Sequence, residues 1–194
     1  FLWIYVIIIY NLNLLEKKSN LKIGLVTGSF DPITSGHTYV IEKALSLVDV
    51  LYIGVANNPS KKYFLSEIDR VNGVFRTLKS ELDPKDFSRI KIVIPPKDKL
   101  VIDYAKQIKC NFIFRGLRNL TDLDYESQIN LVQKKIDPSI ETIYFFTPRD
   151  KIEVSSSLIK GIVGLNDWEK VVKNYVSDSV IEILKNYVEE DKND

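Results

Sequence analysis

From Leu21 onward, short β-branched runs alternate with segments whose apolar residues recur at spacings of three and four, and a chain written that way has few ways to fold. The runs Lys22–Val26, Val50–Val55, Ile90–Ile94, Asn111–Phe114 and Thr142–Phe146 read as strands. Between them, Val40, Ile41, Ala44, Leu45 and Val48 mark one helical face, and Ile68, Val71, Phe75, Leu78 and Leu82 a second. Ser66 followed by Asp69 resembles an acidic variant of a capping box for that second helix. Val101, Tyr104, Ala105 and Ile108 make a third face, and Tyr125, Ile129, Val132 and Ile136 a fourth that Asp137-Pro138 stops. Leu158, Ile159, Ile162 and Val163 begin a fifth, and Val180, Ile181, Leu184 and Val188 give a last helix. Strand then helix, repeated, requires right-handed crossovers. The predicted architecture is therefore an α/β domain, a five-stranded parallel sheet flanked by helices on both faces, with additional C-terminal helices. No internal repeat and no linker divides residues 21–194, which read as one domain.

Composition narrows what such a domain can do. The chain has 194 residues, enough to bury roughly 70% of its unfolded surface, so a core forms without disulfides or a structural metal. A net charge of +1 excludes bulk electrostatic capture of nucleic acid as the main activity, although local anion sites are still open. The single cysteine, Cys110, excludes an internal disulfide framework and a cysteine-clustered zinc site; it fits a reducing compartment and a cytoplasmic location. Phe1–Tyr10 is apolar and uncharged, too short to cross a bilayer alone, and lacks the positive charge that opens a secretory signal. Residues 1–20 are read as an extension outside the domain: a fragment, an artefact, or the remnant of a targeting segment or membrane anchor.

In an open parallel sheet, ligands bind beyond the carboxyl ends of the strands. Directly after the first predicted strand stands Thr27–His37 (TGSFDPITSGH), which opens the first helix. Gly28 permits a tight turn, Ser29 offers a hydroxyl and an N–H, and Gly36-His37 sits at a helix start that favours an anion. The pattern is neither GxGxxG nor GxxxxGK[ST], which argues against dinucleotide-binding and P-loop sites. Asn58–Lys62 (NPSKK) follows the second strand and Arg115–Asn119 (RGLRN) the fourth. Asp122–Glu126 (DLDYE) comes next, and Val154–Lys160 (VSSSLIK) lies beyond the fifth strand.

Taken together and in this order, these motifs resemble those of the nucleotidylyltransferase superfamily. With Thr34 where many members carry His, they are most similar to the phosphopantetheine adenylyltransferases. The resemblance covers roughly Lys22 to Lys160 and implies a single Rossmann-like domain. It departs from the family pattern at Arg149–Glu153, at Ser29 where Thr is commoner, at Val26-Thr27 where Tyr-Pro is frequent, and at Gly161.

The resemblance implies adenylyl transfer from ATP to 4′-phosphopantetheine, giving dephospho-CoA and pyrophosphate. His37 and Lys61 are the implied catalytic residues. Ser29, Lys61, Val101 and Arg115 are implied for phosphopantetheine. Ser29, Phe30, His37, Gly116, Leu117, Arg118, Glu126 and Val154 to Ser157 (Val154, Ser155, Ser156, Ser157) are implied for ATP. Mg²⁺ is implied to arrive with ATP, with no dedicated protein ligands, and a homo-hexamer is the implied assembly. Each residue also has a plain structural role open to it: a helix-start histidine, a solvated lysine pair, arginines bridging to Asp122 and Asp124, a serine cap. Two other enzyme readings are a nucleotidylyltransferase acting on nicotinamide mononucleotide and one using CTP. Outside enzymes stand a non-catalytic nucleotide-binding regulator and a membrane-tethered interaction module built on Phe1–Tyr10.

Overall fold

The computed structural model of the chain describes residues 21–58, 60–148, 151 and 155–191. Five strands, β1 (Ile23–Gly28), β2 (Val50–Val55), β3 (Ile90–Val93), β4 (Phe112–Leu117) and β5 (Glu141–Phe146), form one parallel sheet in the order β3-β2-β1-β4-β5. The helices are α1 (Ser35–Leu45), α2 (Glu67–Glu81), α3 (Pro84–Phe87), α4 (Val101–Gln107), α5 (Leu120–Ile136), α6 (Ser156–Ile162), α7 (Trp168–Val172) and α8 (Asp178–Asp191). Central strands are apolar on both sides because helices cover both faces. Leu25 and Ile113 pack with Ile102, Ala105 and Ile140 on one face. Their neighbours Val26 and Phe114 pack with Val40, Ile41 and Leu184 on the other.

The chain winds outward from β1 to β3, then returns to the opposite side of β1 with β4 and β5. The strand order therefore reverses between β1 and β4, and the crevice beyond their carboxyl ends is the natural place for a ligand. Close approach of these two strands depends on Gly24, where a Cβ would lie 2.6 Å from the Phe114 ring. Among the described residues no helix is long and apolar enough to cross a membrane. The expectation for residues 1–20 lies outside the described residues.

Three expectations are corrected by the structure. β4 does not stop at Phe114: its ladder with β5 runs on through Arg115↔Tyr144 and Leu117↔Phe146, so Arg115 stands on a strand rather than in a loop. On α2 the buried stripe is Arg70, Gly73, Val74, Thr77 and Leu78, while Ile68 and Phe75 are exposed. The small Gly73 faces Val180 and Ile183 of α8, and that packing turns the helix away from its most apolar face. On α5 the predicted apolar face is not buried: Tyr125 and Val132 are exposed, and Gln133 is the helix's buried residue. Its packing within the chain is mainly with β4, which cannot cover a helix of that length. The short helices α3 and α7 were beyond the reach of periodicity, although Asp83 capping ahead of Pro84 is a legible start signal.

Candidate active site

The carboxyl ends of β1 and β4, the start of α1, the loop after β2 and the start of α6 enclose a cavity of about 640 Å³. At its base the β1–α1 turn is held in an uncommon shape. Phe30 has φ of 49°, a left-handed conformation that a bulky residue adopts at a cost of about 1–3 kcal/mol. Its ring is buried and meets the His37 imidazole edge-on at 5.1 Å. Arg70, on α2, is also buried and braces this turn from behind. Its Nη1 donates to the carbonyls of Ser29 (2.9 Å) and Ala56 (3.1 Å), Nη2 donates to Asn57 Oδ1, and the guanidinium lies 4.1 Å from the Tyr63 ring centre. Because the C=O and N–H of a trans peptide point oppositely, the bond to Ser29 carbonyl directs the Phe30 N–H away from Arg70.

His37 occupies the first turn of α1. Thr34 N–H donates to its Nδ1 at 3.1 Å, with Thr34 Oγ1 2.9 Å from the same nitrogen. A backbone amide can only donate, so Nδ1 is an acceptor and the neutral ring carries its proton on Nε2. Burial, and secondarily the Arg118 guanidinium, lower His37 from 6.5 to about 4. At neutral pH the residue is thus an uncharged N–H donor on the cavity wall. Ser35 N–H is taken by the Tyr175 carbonyl at 2.8 Å, so that start amide of α1 is not available to a ligand.

Each acidic side chain lining the cavity has a basic partner. Arg115 Nη1 donates to Thr27 carbonyl (3.0 Å) and its Nε lies 3.3 Å from Glu126 Oε2. Arg118 grips Asp122 with Nε (2.9 Å), Nη2 (3.2 Å) and its backbone N–H (3.0 Å), and these bonds hold the Asp122 carboxyl below its usual range. Asp31, almost fully buried, accepts Phe64 N–H (3.0 Å), Leu65 N–H (2.8 Å) and the Lys160 ammonium (3.1 Å). Lys61 is exposed, in a loop shaped by an Asn58 side chain that accepts Ser60 N–H at 2.9 Å. At α6, Ser155 Oγ caps Leu158 N–H (3.1 Å) and Ser156 Oγ donates to Pro32 carbonyl (2.9 Å), which fastens this helix to the β1–α1 turn.

The structure therefore brings Ser29, Phe30, His37, Lys61, Arg115, Gly116, Arg118, Glu126, Ser155, Ser156 and Ser157 to one cavity. It does not bring Val101 or Leu117 to the lining. Val101 starts α4 and packs against the cluster on the opposite face, and the Leu117 side chain is fully buried. Val154 lies outside the described residues. Sequence reasoning gave no role to Asp31, Arg70 or Lys160. Asp31 and Lys160 stand inside recognised motifs, whereas Arg70 is invisible to a pattern that counts only apolar positions.

Residues 25–162 match the cytidylyltransferase-like family. The chain is 40% identical over 172 residues to a phosphopantetheine adenylyltransferase of Streptococcus uberis, covering 89% of this chain and 98% of that protein. Its identity to the protein of the same name from Chromobacterium violaceum is 32% over 160 residues, covering 82% and 93%. Among solved structures it is similar to Plasmodium falciparum nicotinic acid mononucleotide adenylyltransferase complexed with NaAD. That match has a TM-score of 0.67 and 17% identity, and covers 87% of this chain and 96% of the other, a likeness of fold.

Proposed function

Because the chain belongs to the phosphopantetheine adenylyltransferase family of cytidylyltransferase-like proteins, we propose that it transfers the adenylyl group of ATP reversibly to 4′-phosphopantetheine in the cytoplasm. The products are dephospho-CoA and pyrophosphate, a late step of coenzyme A biosynthesis. The observation that carries this reading is the cavity wall itself, where a neutral His37 Nε2–H stands with Lys61, Arg115 and Arg118 at the switch point of the sheet.

A phosphate oxygen of the acceptor attacks the α-phosphorus as the bond to the bridging oxygen of the β-phosphate breaks, and pyrophosphate leaves with that oxygen. The acceptor phosphate is anionic near neutral pH, so no general base is needed. The reaction requires alignment of two anions and neutralisation of the charge that builds between them. His37 donates from Nε2 to the α-phosphate, and a neutral donor there avoids the desolvation that a buried imidazolium would suffer. Lys61 bridges the attacking phosphate and the α-phosphate. Ser29 and Arg115 orient the acceptor. Phe30, Gly116, Arg118, Glu126 and the segment from Val154 to Ser157 hold ATP, without the buried Leu117. Arg115 and Arg118 exchange their present carboxylate partners, Glu126 and Asp122, for phosphate oxygens.

The triphosphate would carry Mg²⁺ with it, and the ion would offset phosphate charge without a dedicated protein ligand. In the free protein Asp31, Asp122 and Glu126 are each engaged by a basic side chain, so none stands ready to bind the ion ahead of the nucleotide. A homo-oligomer, by family resemblance a hexamer, gives a use for the exposed Leu120, Leu131 and Val132 of α5 and Phe146 at the end of β5. The test is pyrophosphate release from MgATP with 4′-phosphopantetheine and, separately, nicotinamide mononucleotide as acceptor. Release with the first alone is the expected result, and release with the second alone refutes the assignment.

A further inference from the structure

We infer that Asp31 is a positioning residue for the transfer: its buried carboxylate sets where Lys61 and Lys160 stand relative to the β1–α1 turn. This rests on adenylyl transfer taking place in the cavity described above. The Asp31 side chain is 3% exposed, whereas that of Lys160 is 29% exposed, so the carboxylate belongs to the interior and presents the ammonium to the cavity. Oδ1 accepts Leu65 N–H at 2.8 Å, and Oδ2 accepts Phe64 N–H at 3.0 Å and Lys160 Nζ at 3.1 Å.

Those amides close the loop that contains Lys61. Its other end is fixed by Arg70 through the Ala56 carbonyl and the Asn57 side chain, so Lys61 stands between two anchored points. Lys160 comes from α6, whose Ser156 is tied to the Pro32 carbonyl, one residue beyond Asp31. A carboxylate serving only to close a loop needs its two amides. The third partner here is a cavity-lining cation 129 positions away, and it converts a loop anchor into a link between two of the cations that line the cavity. Asparagine at this position keeps one carbonyl acceptor but turns an NH₂ group toward the remaining donors, so both cations shift.

The experiment uses the full chain and compares wild type with Asp31→Asn, alone and in a Lys61→Ala/Lys160→Met background. Steady-state pyrophosphate release with MgATP and 4′-phosphopantetheine is measured beside calorimetric binding of MgATP alone. Asp31→Asn is expected to lower kcat about 100-fold, the scale of a small misplacement of catalytic groups. MgATP binding is expected to weaken about tenfold. In the Lys61→Ala/Lys160→Met background the same substitution changes either quantity by less than about threefold, because the two side chains it positions are gone. An equally large loss in that background, or a kcat for Asp31→Asn within about threefold of wild type, overturns the inference.

Should Asp31→Asn give no cooperative melt, the lysines themselves decide. Cations positioned through one carboxylate, Lys160 directly and Lys61 by way of its loop, show coupled losses, and strictly multiplicative losses for Lys61→Ala and Lys160→Met overturn the inference. A wild type that binds MgATP without releasing pyrophosphate refutes the acceptor assignment instead. Asp31 is then judged on MgATP binding, where an effect of Asp31→Asn below about twofold refutes it.

Discussion

His37 is the only histidine in the chain, so its ionisation can be read directly from one imidazole resonance. Burial and Arg118 bring it from 6.5 to about 4, which makes the unfolded chain the better proton acceptor between those values. Stability is therefore undiminished above about pH 6.5 and falls as the pH drops toward 4, where the unfolded state binds a proton that the folded state refuses. The full shift corresponds to about 3 kcal/mol, of which about 2 kcal/mol is lost by pH 5. His37→Asn keeps an acceptor near the Nδ1 position for Thr34 N–H but cannot titrate, so its urea-unfolding free energy lacks this component between pH 7.5 and 5. The imidazole Cε1–H shift of the free wild-type protein should be flat from pH 8 to about 5.5 and move only near 4. Work on the free protein matters because the acceptor phosphate itself titrates near pH ~6 and would place its own limb on any rate profile. An inflexion between pH 6 and 7, or equal pH-dependence of stability in wild type and His37→Asn, refutes the neutral Nε2–H donor and the mechanism built on it.

Three further substitutions probe separate parts of the account. Lys61→Ala should lower kcat/KM about 100-fold and raise the KM for 4′-phosphopantetheine, and a rise confined to the KM for ATP would place Lys61 on the wrong substrate. Gly24→Ala inserts a methyl group 2.6 Å from Phe114 and 3.0 Å from Leu51, and should destabilise the sheet by about 1–3 kcal/mol in urea unfolding. Arg70→Met leaves the Ser29 and Ala56 carbonyls without their buried donor and should cost about 3 kcal/mol, read in the same assay.

The strand and helix order, and the cavity's place in it, were legible because the informative residues are conspicuous locally. A segment with Gly28, Pro32, Gly36 and the sole histidine, running from the end of a β-branched strand into the first turn of a helix, announces itself. What was not legible depends on partners remote in sequence. The extension of β4 through Arg115 and Gly116 is decided by pairing with Tyr144 and Phe145, since neither residue favours a strand on its own. The orientation of α2 follows from α8 packing on Gly73, against the pull of Ile68 and Phe75. Asp31 and Lys160 meet across 129 positions, and no local pattern contains that bond. Leu117 could be read as part of an arginine loop only while β4 was thought to end before it; it is instead paired with Phe146 on the strand, and its side chain is fully buried.

The most direct test follows the α-phosphate. With ATP labelled at that phosphorus, Mg²⁺ and 4′-phosphopantetheine, the full chain should move the label into dephospho-CoA and release unlabelled pyrophosphate in equal amount, and His37→Ala should slow this about 100-fold while remaining folded. Label that stays in ATP, or enters only an adenylylated nicotinamide mononucleotide when that acceptor is supplied, contradicts the assignment.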